Sequence, residues 1–253
     1  MARHRRYARP DVPLLKIMSA NQKTRVKRAC EILEREYGSP TGRPRDADLV
    51  SMLVRTILSQ NTTDTNRDRA FDSLHGAFPD WEMLVDAPQR KIAQVIRVGG
   101  LANQKSASIR NIVRHLKETR GKVELDFICD MSNEDAYKYL CAHKGIGVKT
   151  ASILLCFGCG RDVFPVDTHV NRVCGRLGFV PEGSGPDKTH ELMSPLVPKG
   201  KAHSFHLNII RLGKTICAAR SPRHEVCPLR SMCPTYRRVR PYLRRSGAMR
   251  QTL

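Results

Sequence analysis

Apolar residues recur along this chain at intervals of three and four and almost nowhere in strict alternation, the spacing of helices that bury one face. Between Asn21 and Tyr37, the residues Val26, Ala29, Cys30 and Leu33 share one stripe. From Asp46 to Leu58 a second stripe holds Leu49, Val50, Leu53, Ile57 and Leu58. Asp64 is placed to cap a third helix whose inner face carries Ala70, Phe71 and Leu74. Further helices are predicted over 88–98, closed by Gly99-Gly100, and over 104–118, closed by Gly121. Ser132-Asn-Glu-Asp135 is a capping-box pattern opening another helix. Helical spacing then predicts segments at 148–158, 168–176, 190–196 and 202–213. Only Val123–Ile128 reads as a strand, and it has no partner. The expected fold class is all-α. Gly38-Ser-Pro-Thr-Gly-Arg-Pro44 crowds turn formers into seven residues and marks a domain boundary.

Charge narrows the partners. The 253 residues suffice for a sizeable core in one or two domains, and 44 Lys and Arg against 24 Asp and Glu leave a net charge of +20. Such a surplus suits a polyanion, nucleic acid above all, and 40% hydrophobic residues argue for a packed body over a disordered binder. The excess sits at both ends, in the first 28 residues and in Arg237, Arg238, Arg240, Arg244, Arg245 and Arg250. Those runs read either as solvated, frayed termini or as phosphate contacts. The basic arm Met1–Arg9 lacks a following apolar stretch, and no apolar run reaches membrane-spanning length. A soluble, monomeric protein of a DNA-containing intracellular compartment is expected, with no membrane partner. Its nine cysteines should then be reduced, metal-bound or buried rather than disulfide-paired, with Cys156 and Cys159 in the core.

Three segments carry candidate chemistry. In Leu140-Cys-Ala-His-Lys-Gly-Ile-Gly-Val-Lys-Thr-Ala-Ser152, two glycines around one apolar residue allow a tight hairpin between helices. The second helix starts at once, so its unpaired N–H groups and positive dipole end are available to a phosphate. Lys149 lies in that first turn, where the dipole disfavours its charged form, and a neutral amine is a nucleophile. The alternative is a lysine that only touches phosphate. Downstream, Asp167 in Phe164-Pro-Val-Asp-Thr-His-Val-Asn-Arg172 precedes a helix. It reads as an N-cap or as a carboxylate facing the lysine across a groove, and a capping Asp keeps a second oxygen for such work. Finally, Cys217, His224, Cys227 and Cys233 fall within seventeen residues rich in Pro and Arg, a metal-ligand spacing.

Taken together and in this order, these segments resemble the endonuclease III branch of the helix-hairpin-helix DNA glycosylases. Lys-Gly-Ile-Gly-Val-Lys-Thr-Ala is similar to that family's Leu-Pro-Gly-Val-Gly-x-Lys-Thr-Ala hairpin, and Val-Asp-Thr-His to its catalytic-aspartate segment. The cysteines follow its Cys-x6-Cys-x2-Cys-x5-Cys iron–sulfur loop, except that His224 stands where the second cysteine belongs. The resemblance spans roughly residues 45–235.

The resemblance implies two helical lobes flanking a DNA-binding groove. One is a six-helix barrel over 43–161 that includes the hairpin. The other is a cluster lobe built from 1–42 and 162–253. It implies a bifunctional glycosylase and abasic-site lyase acting on duplex DNA with a damaged base, an oxidised pyrimidine foremost, or an abasic site. Lys149 would attack the sugar, with Asp167 assisting. Gly145, Gly147, Val148 and Thr150 would grip the backbone. Leu101 would wedge into the opened duplex, unless it is an ordinary core leucine. Gln60 or Asn61 would fill the gap left by the everted base, and His169 would contact DNA or serve the helix start. Cys217, Cys227, Cys233 and possibly His224 would hold a [4Fe-4S] cluster. Zinc on the same four residues, or no metal, are the other readings. Alternative activities are a glycosylase for mismatched thymine or uracil or for another modified base, and a noncatalytic DNA-binding module.

Overall fold

The computed structural model describes residues 20–40 and 48–245, and contacts divide the chain into two units, Gly42–Pro165 and Met1–Thr41 with Val166–Leu253. The Met1–Arg9 arm, most of the expected boundary segment after Pro40, and Arg250 lie outside the described residues. Every regular element among the described residues is helical. None of these helices is long and apolar enough to cross a membrane.

Helix α1, Ala20–Tyr37, belongs to the discontinuous unit. The other unit begins with α2, Leu49–Leu58, and α3, Asp64–Ala77. A four-residue helix α4, Met83–Asp86, and α5, Gln89–Val95, lead to the long α6, Ala102–Arg120. The unit closes with α7, Asn133–Cys141, and α8, Val148–Ile153, whose last turn widens into a π-turn over Leu154–Gly158. Apolar stripes from all these helices meet in one core, with Leu53, Ile57, Leu74, Ile109, Ile112, Leu140 and Leu154 fully or almost fully enclosed.

Local chemistry sets the ends of these helices. Asp48 caps α2 by accepting from the Val50 and Ser51 amides, and it also accepts from Trp81 Nε1 at 2.7 Å. One carboxylate thereby starts a helix and anchors the only tryptophan. Burial opposes its charge, yet the hydrogen bonds from Ser51, Trp81 and the two amides hold its carboxyl below the usual range. Ser132 caps α7 by accepting from Asp135 N, as the capping-box pattern predicts. At α3 the cap is Thr63, with Asp64 the first helical residue. Threonine competes well for a cap, and Asp64 still complements the helix dipole from the first turn while pairing with Arg67 at 2.8 Å.

Two expectations are corrected in this unit. Val123–Ile128 forms no strand; its end winds into a 3₁₀ turn, Asp126–Cys129, because no neighbouring segment offers it a ladder. Cys159 is not a core thiol but is disulfide-bonded to Cys129, with Cα atoms 5.1 Å apart. The partner lies thirty positions away, so neighbour spacing along the chain could not reveal it. Arg161 sits beside this bond, donating to the carbonyls of Ile128, Cys129 and Met131 and to Asn133 Oδ1. Cys156 is buried in the core as expected.

The discontinuous unit joins α1 to α9, Thr168–Arg176, α10, Pro186–Met193, α11, Ala202–Thr215, and α12, Pro234–Arg245. Phe205, Ile209 and Leu212 of α11 are buried, as are Val26, Ala29 and Leu33 of α1 and Val170 and Val173 of α9. Glu34 fastens α1 to α11 by accepting from Lys201 Nζ at 2.9 Å and Ser204 Oγ at 2.8 Å. The arginine-rich tail is helical over Pro234–Arg245. Alternation of arginine with Tyr236, Val239 and Tyr242 disguised that helix as a charge run.

Candidate active site and cluster loop

Helices α7 and α8 stand either side of a tight hairpin. Tyr137 of α7 and Ser152 of α8 share a buried hydroxyl–hydroxyl hydrogen bond of 2.7 Å, and Ser152 also donates to Val148 O. Between them Ile146 is buried, its amide donating to His143 O at 3.0 Å. The first bond of the α8 ladder runs from Ala151 N to Gly147 O. The amides of Val148, Lys149 and Thr150 therefore precede the ladder and are available to an anion.

The two hairpin glycines do different jobs. Gly145 has φ +90°, and a Cβ there would lie 2.1 Å from Ser108 Oγ and 2.8 Å from Ser108 Cβ of α6. Its carbonyl accepts from Gln60 Nε2 at 3.0 Å. Gly145 is thus where the hairpin backbone is pressed against α6 and tied to the loop after α2. Gly147 is extended, φ −105° and ψ −178°, and a Cβ there would meet nothing within 4 Å. Its smallness serves no contact inside the unit and leaves the helix start open to a ligand.

On this platform the Lys149 side chain is exposed, while Val148 is half-buried. Thr150 is 4% exposed, so its hydroxyl packs inward and only its amide is left for a ligand. Asn61 and Leu101 are two of the three non-glycine residues with positive φ among the described residues, at 50° and 48°. Leu101 is also 44% exposed, which sets aside the reading of it as an ordinary core leucine. An exposed leucine in a left-handed conformation is costly on both counts, and such strain gathers at working sites. Gln60 is committed to the hairpin, while Asn61 beside it is exposed.

Asp167 opens α9 in the other unit. Its Oδ1 accepts from Val170 N at 2.7 Å, and no described hydrogen bond uses Oδ2. The cap and a second role are compatible in this geometry. His169, two residues on, accepts at Nδ1 from Arg172 Nη2 at 3.1 Å. A Cβ on Gly213 of α11 would come within 3.1 Å of His169 Cβ, so that glycine lets α9 and α11 approach closely.

Arg172 and Arg176, one turn apart on α9, hold the loop that follows α11. Arg172 donates to Gly213 O at 2.8 Å and Cys217 O at 3.1 Å. Arg176 donates to Ala218 O at 2.7 Å, Ala219 O at 2.9 Å and Cys217 Sγ at 3.3 Å. These arginines and Ser108 escaped the reading of the sequence, although the i, i+4 arginine pair was a visible signal.

Cys217, His224, Cys227 and Cys233 line one small cavity, with Val173, Leu212 and Ile216 as its apolar wall. Burial first, and then the nearness of Cys217 and Cys233, push the Cys227 thiol up to about 11. The His224 ring stacks on Tyr236 with centroids 5.6 Å apart, and burial lowers its pKa. Among the described residues no three His, Cys, Asp or Glu side chains converge on a point where one ion would sit. Three thiols and an imidazole around one cavity are donors of the type that iron and zinc accept.

With this geometry described, its relatives can be stated. Residues 54–199 match the family model described as HhH-GPD superfamily base excision DNA repair protein. A putative DNA glycosylase of Arabidopsis thaliana is 40% identical over 166 residues, 66% of this chain and 56% of that protein. This chain therefore spans little more than half of the plant protein's length. Endonuclease III of Thermotoga maritima is 30% identical over 77% of this chain and 86% of its own length. Endonuclease III of Sulfolobus acidocaldarius is 30% identical over 84% and 93%. Among solved structures, a non-covalent endonuclease III–DNA complex superposes with a TM-score of 0.74 at 22% identity, covering 87% of this chain and 98% of that one. A thermostable thymine-DNA glycosylase gives 0.71 at 23%, covering 87% and 100%. Both of these likenesses speak for the fold.

The asymmetry between the glycines makes a prediction. Gly145→Ala should lower stability by about 2–4 kcal/mol, the sum of backbone strain and overpacking. Gly147→Ala should leave the thermal midpoint unchanged but weaken binding to duplex DNA. Adding Ser108→Gly to Gly145→Ala should recover part of the loss. Equal midpoints for the two alanine variants would contradict this assignment. The hairpin, the helix-capping Asp167, the all-helical architecture and the matched 54–199 together place the chain in the HhH-GPD superfamily of base excision DNA repair proteins, as an endonuclease III-like glycosylase.

Proposed function

We propose that this protein is a bifunctional DNA glycosylase and abasic-site lyase that removes oxidised pyrimidines from duplex DNA, with Lys149 as its nucleophile. The observation that carries the reading is the Lys149 side chain, exposed directly after the open Gly147 on a hairpin held rigidly by Gly145. A phosphate bound at the start of α8 would bring a deoxyribose within that lysine's reach.

In the proposed reaction the damaged nucleotide leaves the stack, at a cost of a few kcal/mol that is smaller for damaged or mispaired bases. Leu101 enters the opened duplex and Asn61 fills the vacated space, while Gln60 braces the hairpin. Lys149 Nζ, having given up a proton, attacks C1′ and the base departs as the C1′–N bond breaks. Ring opening yields a Schiff base. Loss of a C2′ proton then breaks the C3′–O bond, and hydrolysis of the imine frees the enzyme. Asp167 takes the lysine proton or stabilises positive charge on the sugar through its uncommitted Oδ2. His169 contacts the DNA. The nucleic acid is held chiefly through phosphates by the basic surface, and the protein acts as a monomer.

The loop 217–233 holds a [4Fe-4S] cluster through Cys217, Cys227 and Cys233, with His224 as the fourth ligand. The donor set and the cavity those four side chains share support this. Such a cluster cross-links the loop, and an imidazole ligand raises its potential. A second substrate reading, mismatched thymine or uracil, is kept because the thymine-DNA glycosylase superposes almost as well as endonuclease III.

Duplexes carrying one oxidised pyrimidine or one T·G pair, resolved on a denaturing gel without alkali, test the activity. Wild type should nick the oxidised duplex, and Lys149→Ala should lower nicking at least about 100-fold. Base release that leaves the strand intact until alkali is added would instead indicate a hydrolytic glycosylase. Preferential release from T·G would favour the second substrate. The cluster predicts a brown protein with broad visible absorption and about four irons per chain. A colourless protein with one zinc per chain would refute it.

A further inference from the structure

Lys105 is the largest fully buried side chain of α6 and takes no part in the proposed chemistry. It is 1% exposed, and its Nζ donates to Leu58 O and to Gly99 O, each at 2.8 Å. Burial alone lowers its pKa, with no acidic side chain contributing. A buried cation without a counter-ion is costly, and an apolar side chain of similar size would fill the same space at less expense. Its retention therefore calls for an account beyond packing.

The two carbonyls it holds are informative. Leu58 is the last residue of α2, so its carbonyl lies beyond the intrahelical ladder and welcomes a positive charge. Three residues later comes Asn61, with positive φ. Gly99 ends a 3₁₀ turn, and Gly100 and Leu101 both follow with positive φ, at 71° and 48°. One ammonium thus binds the roots of the two short segments of this unit that carry exposed non-glycine residues at positive φ. A Cβ on Gly99 would lie 3.1 Å from Ala70 Cβ of α3, so this root is also packed from the other side.

We infer that Lys105 is a positioning residue for base eversion, tying the Asn61 segment to the Leu101 segment so that both enter the duplex as one rigid pair. The inference rests on the reading of Leu101 and Asn61 given above. Backbone strain at such residues persists only where the surroundings over-determine it, and the two hydrogen bonds of Lys105 supply that constraint. Hydrogen bonds to a charged donor are stronger than neutral ones, which accounts for an ammonium at this point rather than a hydroxyl or amide.

The test separates eversion from chemistry. Lys105→Met and Lys105→Gln are compared with wild type and with Leu101→Ala, on three duplexes. One carries a paired lesion, one a preformed abasic site, and one is undamaged. A 2-aminopurine at the target position reads unstacking. In the two Lys105 variants, excision of the paired lesion should fall about tenfold or more and the unstacking signal should shrink. Nicking at the abasic site, where no base need be evicted, should stay within about threefold, and binding to undamaged duplex should not change. Thermal midpoints should remain near the wild-type value, because losing the buried charge offsets the lost hydrogen bonds. Lys105→Gln, which can still donate to one carbonyl, should be the milder variant. Wild-type excision in Lys105→Met alongside a deficient Leu101→Ala overturns the inference while leaving the proposed function standing. Full excision in Leu101→Ala would remove the wedge role itself and the inference with it. A collapsed midpoint or insolubility in both Lys105 variants would assign the residue to stability alone and would also overturn it.

Discussion

The hairpin that carries Lys149 stands where it does because Gly145 has no side chain. Ser108 occupies the space a Cβ would need, and Gln60 holds the carbonyl of the same glycine. Three separate stretches of chain therefore agree on the position of one peptide unit. The Tyr137–Ser152 hydroxyl pair then sets the two helices across the turn, and the buried Ile146 keeps the turn from opening. The proposed nucleophile, on a long flexible side chain, gains most from a rigid base, since orientation is worth several kcal/mol of barrier.

Much of this was legible in the chain. Helical spacing showed nearly every long helix, because each buries one stripe against a single core, and the capping pattern at Ser132 marked the start of α7 within a residue. Candidate residues stood out where chemistry constrains type and spacing together, as in Gly145, Gly147 and Lys149, or in the run from Cys217 to Cys233. What escaped the sequence depended on distant neighbours. Ser108 matters only because a glycine from another helix presses on it, and Lys105 looks like any helical lysine until its two carbonyls are seen. The Cys129–Cys159 bond is of the same kind. The helix over Pro234–Arg245 was hidden for a different reason: six arginines in the tail drew the eye to charge, away from the tyrosines and valine between them.

The second unit shows how one helix can serve two ends. Asp167 starts α9 as its cap, while Arg172 and Arg176 on the next turns seize the carbonyls that open the cysteine loop. Gly213 permits the close crossing that brings α11 onto the same arginine. Any group bound by Cys217, His224, Cys227 and Cys233 would thus be mechanically continuous with the helix that presents the carboxylate. His224 is the feature that sets this loop apart from an all-cysteine one, and its ring is shared between the cavity and Tyr236.

The central claim is that Lys149 forms the covalent bond to the sugar. Borohydride reduction during turnover on a lesion-bearing duplex, followed by protease digestion and mass spectrometry of the adduct, tests it most directly. The account predicts one modified peptide, carrying the reduced sugar on Lys149. Modification of Lys144 or another lysine instead, or turnover with no adduct at all, would contradict it.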